Sequence, residues 1–142
     1  MTLLSNEANE VLMQQLKRHE GIKCDLYVCT AGKQTIGVGR NLDDLGISED
    51  EAMYLLDNDI KRVGKELDAK VSFLSKLSEN RKVVLMNMTF NLGINRLLKF
   101  QNMFSALEDQ DYQKAADEML DSRWASQVGD RANELAEMML AG

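Results

Sequence analysis

Ala8, Val11, Leu12 and Leu16 recur at the spacing of one helix face, and Ser5 stands where an N-cap belongs. A first helix is therefore predicted from Ser5 to about residue 19, ended by Glu20-Gly21. The period then changes. Residues 24–28 and 34–38 alternate as strands do, and Thr30-Ala31-Gly32-Lys33 between them has turn composition. Helical spacing returns at Ser48-Glu49-Asp50-Glu51, a capping box that opens a long helix through Met53, Leu56, Ile60, Val63 and Leu67. Ser78 starts the next helix, which carries Val83, Val84, Leu85, Met86 and Met88, and Gly93 is placed to end it in a left-handed conformation. Shorter helices are expected over residues 102–108, 112–120 and 131–140, with Asp111 and Asp130 as N-caps of the last two. One hairpin among helices gives an α+β class, mainly α.

Composition narrows this picture. With 142 residues, 44% of them hydrophobic, the chain can bury a real core, most economically as one domain. There is no internal repeat, linker or low-complexity tract. Proline is absent, so caps and glycines must set the helix ends, and the nine methionines read as core filling more readily than as a partner groove. A net charge of −6 leaves no basic stripe to neutralise phosphates, which argues against a nucleic-acid partner. Lys17, Arg18, Lys23, Lys33 and Arg40 gather in the N-terminal quarter, as a local basic patch or as scattered solvated charges. Residues 1–4 are too short an apolar run for an export signal, and no segment suits a membrane span. Cys24 and Cys29 are expected as reduced thiols in a protein made in the cytosol; a disulfide between them would require suitable Cβ directions. One histidine and two cysteines offer no recognised metal-ligand spacing, and no cofactor motif is present.

Candidate chemistry concentrates in residues 19–40, HEGIKCDLYVCTAGKQTIGVGR. Glu20, Cys29 and Thr35 surround the hairpin. A carboxylic acid at a helix end can protonate a leaving oxygen if it stays neutral near working pH, although a lone surface glutamate is the commoner occurrence. Thr35 lies in Thr-Ile-Gly-Val-Gly, a strand pattern open to close backbone approach; its hydroxyl can hold a water, or simply suit a strand. Cys29 is either a thiolate or a small buried apolar residue.

Together, Glu20, Cys29 and Thr35 followed by Ile36-Gly37-Val38-Gly39 resemble the catalytic signature of the phage-type lysozymes, glycoside hydrolase family 24, which includes the T-even phage endolysins. That family usually has aspartate at the position of Cys29 and histidine at that of Arg40; some of its endolysins carry cysteine at the former. Asn87-Met88-Thr89-Phe90-Asn91-Leu92-Gly93 is similar to the family's core-helix segment, and Asp121-Ser122-Arg123-Trp124 with Asp130-Arg131-Ala132 resembles its SRW and NRA motifs. The resemblance implies a small hairpin lobe over about 20–60 and a helical lobe over about 1–19 plus 61–142, within one lysozyme-like domain. It further implies hydrolysis of the β-1,4 bond between N-acetylmuramic acid and N-acetylglucosamine in peptidoglycan. Glu20 would be the general acid, Cys29 would take the aspartate's role toward the attacking water, and Thr35 would hold that water. Arg131 would pair with Glu20, and Phe90 and Asn91 would contact sugar. For Arg40 the resemblance puts the family's ion pair in question, with Asp59 or Asp57 as substitutes. The expected setting is a monomeric endolysin in the host cytoplasm that reaches the periplasm and wall once a holin permeabilises the membrane, without stable membrane insertion of its own.

Three other functions compete. Cys29 with His19, the only histidine, would suit a wall peptidase, but no nucleophile elbow is present. A lytic transglycosylase would cut the same glycan without water. A wall-binding module would keep the fold and lose turnover through the aspartate-to-cysteine change.

Overall fold

The computed structural model describes residues 3–142. Met1 and Thr2, part of the short apolar run considered above, lie outside the described residues. The chain is mainly helical with one small antiparallel sheet, as its hydrophobic pattern predicts, and it divides into two compact units, one ending at Met53 and the other Tyr54–Gly142.

In the first unit, α1 (Asn6–Glu20) is opened by Ser5, whose hydroxyl accepts the Ala8 N–H. Gly21 closes it at φ 76°, donating its N–H to the Lys17 carbonyl. The first unit therefore includes α1, which the resemblance had grouped with the helical lobe. β1 (Lys23–Val28) pairs antiparallel with β2 (Gln34–Gly37), and β2 with the two-residue β3 (Arg40–Asn41), in the order β1-β2-β3. The hairpin closes where the Cys29 N–H donates to Lys33 O and the Gly32 N–H to Cys29 O, both at 2.9 Å, with Gly32 at φ 79°. A single turn, α2 (Leu42–Leu45), follows with Asn41 as its cap. β3 and α2 escaped the sequence reading because elements of two and four residues carry no measurable period. The predicted capping box is present at the start of α3 (Glu49–Lys70): Ser48 N–H donates to Glu51 Oε1 at 2.9 Å and Glu51 N–H to Ser48 Oγ at 3.2 Å.

The second unit holds the apolar core. α4 (Glu79–Leu92) runs from the Ser78 cap to Gly93 at φ 84°, as its sequence predicts, and buries Val84, Leu85 and Met88. A 3-10 turn (Leu74–Lys76) precedes it and a short α5 (Ile94–Leu97) follows. Then come α6 (Gln101–Glu108), α7 (Tyr112–Leu120), α8 (Arg123–Val128) and α9 (Asp130–Ala141). Asp111 caps α7 as expected, accepting the Lys114 N–H. Asp130 does not cap α9. Gly129, at φ 62°, makes the turn into that helix, so Asp130 becomes its first residue, where a carboxylate complements the positive end of the helix dipole. α8 was missed although Ser122 caps it, because six residues are too few to show a face. Met88, Met103, Met119 and Met139 are fully buried in this core, which supports their reading as filling. Met13 and Met53 are exposed.

Leu85 sits at the centre of that core with no accessible surface. Leu85→Ala should lower unfolding free energy by about 2–5 kcal/mol, read by denaturant titration. A loss below about 1 kcal/mol would mean that the core collapses readily around the missing side chain.

Candidate active site

Candidate site residues fall in both units. Glu20 is the last residue of α1, and its side chain is exposed. It lies along the backbone of Gly39: a Cβ built on that glycine would stand 3.1 Å from Glu20 Oε2 and 3.3 Å from Cδ. Gly39 also has φ 70°, a conformation that favours glycine, and any side chain there would push the Glu20 carboxyl aside. The Gly-Val-Gly segment noted in the sequence as open to close approach is thus approached by Glu20 itself.

Cys29 is half-buried at the end of the hairpin, and both it and Cys24 are free thiols, so the disulfide alternative is not formed. The backbone N–H of Lys33 is the strongest influence holding the Cys29 thiol below its ordinary range; the Thr35 hydroxyl and the backbone N–H of Ala31 act the same way, against a smaller upward push from desolvation. Thr35 is buried, in register with Tyr27 of β1 on one side and Asn41 of β3 on the other. Its hydroxyl donates to Lys33 O at 2.9 Å. A hydroxyl has one proton, so it cannot serve this carbonyl and the sulfur together. Ionisation of Cys29 makes sulfur the stronger acceptor and draws the proton toward it, linking the charge of the thiol to the orientation of Thr35.

Arg40 contacts neither Asp57 nor Asp59, the partners considered from sequence. Those carboxylates pair with Lys61 and Arg62 on the same helix. Arg40 forms a two-pronged pair with Glu51, Nη1 to Oε1 at 2.9 Å and Nη2 to Oε2 at 2.8 Å, and Nη1 also donates to Gly46 O at 3.1 Å. The partner was missed because Glu51 already had a local role in the capping box, and its carboxylate performs both. Bonds from Arg40 and then from Ser48 bring the Glu51 pKa down to about 2. Lys33 is likewise engaged, by Asp44 at 3.2 Å. The basic patch considered from sequence is therefore reduced to Lys17 and Arg18 in the last turn of α1 and Lys23 at the start of β1.

In the second unit, Arg131 stands in the first turn of α9, an unfavourable position for a cation. Asn87 of α4 holds it there, its Oδ1 accepting from Nε at 3.0 Å and from Nη2 at 2.7 Å. The partner is a neutral amide, which orients the guanidinium without cancelling its charge. Phe90, half-exposed, lies one turn beyond Asn87, and Asn87, Phe90 and Arg131 line one apolar cavity of about 330 Å³ with Leu56, Ile60, Val63, Val83 and Met86. Asn87 was not singled out from sequence, although its spacing of three from Phe90 places the two on one helix face. Asn91 is turned elsewhere: its Oδ1 accepts from Trp124 Nε1 at 2.8 Å, leaving the amide N–H groups as its donors. Trp124 stands edge-on to Phe100, centroids 6.2 Å apart, and both line a separate cavity of about 510 Å³. Among the described residues, no group of three or more His, Cys, Asp or Glu side chains is arranged to hold a metal ion.

The phage lysozyme family model matches residues 17–138. The protein named "Probable T4-type lysozyme 1" from Dictyostelium discoideum is 28% identical over 92% of this chain and 94% of its own length. An endolysin of Acyrthosiphon pisum secondary endosymbiont phage 1 is 27% identical over 78% of this chain and 74% of its own. The pre-baseplate central spike protein Gp5 of Enterobacteria phage T4 is 25% identical over 94% of this chain, which corresponds to 28% of the spike protein. Since the family model covers most of the chain, from residue 17 to residue 138, the chain belongs to the phage lysozyme family, a family of glycosidases.

Proposed function

We propose that this protein is an endolysin that hydrolyses the β-1,4 bond between N-acetylmuramic acid and N-acetylglucosamine in peptidoglycan. Glu20 gives its proton to the glycosidic oxygen as an oxocarbenium-like sugar develops. Thr35 holds the attacking water, and Cys29, as thiolate, accepts a proton from it on the opposite face of the sugar, so the anomeric centre inverts. Arg131, its guanidinium oriented by Asn87, and Phe90, with its apolar face, are the proposed sugar contacts of the second unit. Lysis of the host follows once a holin has opened the way to the wall.

The observation that carries the reading is geometric: the free thiol Cys29 closes the hairpin whose second strand carries the buried Thr35, and Glu20 lies against Gly39 just beyond that strand. The backbone N–H groups of Lys33 and Ala31 favour the anion of this thiol, which a group standing in for a carboxylate needs and a cysteine kept only for packing does not. Digestion of purified peptidoglycan, followed by borohydride reduction and chromatography of the fragments, is the test. Reducible muramic-acid ends are expected, with the inverted anomer formed first. Free amines would instead identify a peptidase, and anhydro-muramic ends a lytic transglycosylase. Binding without any release would identify a wall-binding module.

A further inference from the structure

We infer that Arg40 is a positioning residue for the acid, holding the backbone on which Glu20 rests in register with Thr35. The inference rests on the reading of Glu20 as the acid. Glu20 has Gly39 as the floor beneath its carboxyl, and Thr35 is paired with Asn41. Arg40 lies between Gly39 and Asn41, so the height of the acid and the place of the water-holding hydroxyl are both set through this one residue. β3 itself is only two residues long and supplies a short ladder, with Thr35 opposite Asn41 and Ile36 opposite Arg40. A pairing of that length fixes little by itself.

The guanidinium adds what the ladder lacks. It ties β3 to the Gly46 carbonyl and to the Glu51 carboxylate, and Glu51 is locked to Ser48 at the opening of α3. Three successive segments are thereby pinned by one planar, two-pronged donor, a geometry that lysine cannot reproduce. The pair is partly exposed, so its attraction is screened and its net contribution to stability is modest. Its consequence is geometric instead: a displacement of about 1 Å at a reacting group can cost on the order of a hundredfold in rate.

Arg40→Gln, Arg40→Lys and the exchanged pair Arg40→Glu with Glu51→Arg test this in the full chain. The readouts are kcat and KM on peptidoglycan, and the carboxyl resonance of Glu20 by carbon NMR, assigned by its loss in Glu20→Gln. Arg40→Gln should lower kcat at least about tenfold with KM little changed, and should move the Glu20 resonance. Arg40→Lys should recover only part of the loss, and so should the exchanged pair, because it restores the ion pair but neither the bond to the Gly46 carbonyl nor the cap on Ser48. A lower melting temperature with kcat and the Glu20 resonance unchanged would overturn the inference and leave Arg40 a merely structural residue. Should the wild-type protein release no reducing ends while the Glu20 resonance still moves in Arg40→Gln, the acid reading fails and the positioning inference stands.

Discussion

Glu20→Gln should cut release of reducing ends from peptidoglycan by about 10²–10⁴-fold while leaving the melting temperature unchanged. The amide has the shape of the acid and no proton to donate, so the leaving oxygen must depart as an alkoxide. Stability should be insensitive because Glu20 is exposed and forms no ion pair among the described residues; its one close neighbour is the Gly39 backbone, which an amide also fits. KM should hardly move, since the lost interaction is made in the transition state and not in the ground state. A variant retaining more than about a tenth of wild-type kcat would remove Glu20 from the mechanism, and the glycosidase chemistry would need another acid.

Cys29 should give the second large effect, in opposite directions for two substitutions. Cys29→Ala deletes the proposed base and should lower kcat by about 10²-fold or more. Cys29→Asp restores a carboxylate and should match or exceed the wild type. The pH profile carries the sign. The proposed base acts as thiolate, so kcat should rise with pH through the thiol's pKa, which the Lys33 N–H, the Thr35 hydroxyl and the Ala31 N–H hold below its ordinary range. An aspartate ionises near about 3.9, so in Cys29→Asp the acidic limb should shift to lower pH and activity should extend into acid. Thr35→Val withdraws one of the donors and should move the wild-type limb the other way, toward higher pH. An alanine variant as active as the wild type, with the same profile, would make the thiol a bystander.

Arg40 has a consequence for acid stability through its partner. The ordinary carboxyl value for Glu51 is 4.5, and in the folded protein it is about 2. Between those values the unfolded chain binds more protons than the folded one, so this contribution is complete above the first and fades as pH falls through the second. Fluorescence-monitored unfolding should therefore show a shallower loss of stability over that window in Glu51→Gln than in the wild type.

Much of the architecture was legible locally. Ser5, Ser48, Ser78 and Asp111 each satisfy an N–H three residues ahead, and Gly21 and Gly93 end their helices at positive φ; those relations lie within one turn and are written in the spacing. The hairpin was legible for the same reason, its turn closing over Cys29 to Lys33. Legibility ended at side chains with a choice of partners. For Arg40 the sequence suggested Asp57 or Asp59, and the carboxylate it takes, Glu51, is eleven residues away and already occupied by a cap. Arg131 meets Asn87 across 44 residues, and Trp124 meets Asn91 across 33.

The order of Glu20, Cys29 and Thr35, the starts of α1, α3, α4 and α7 and the α+β class were thus determined by the sequence itself, because caps, turns and periodicity act between residues a few positions apart. Only the tertiary structure decided that Gly39 lies beneath the Glu20 carboxyl, that Glu51 answers Arg40 and that Asn87 orients Arg131. Contacts of that kind depend on the path of the chain between their partners, and on which of several compatible donors and acceptors that path delivers within bonding distance.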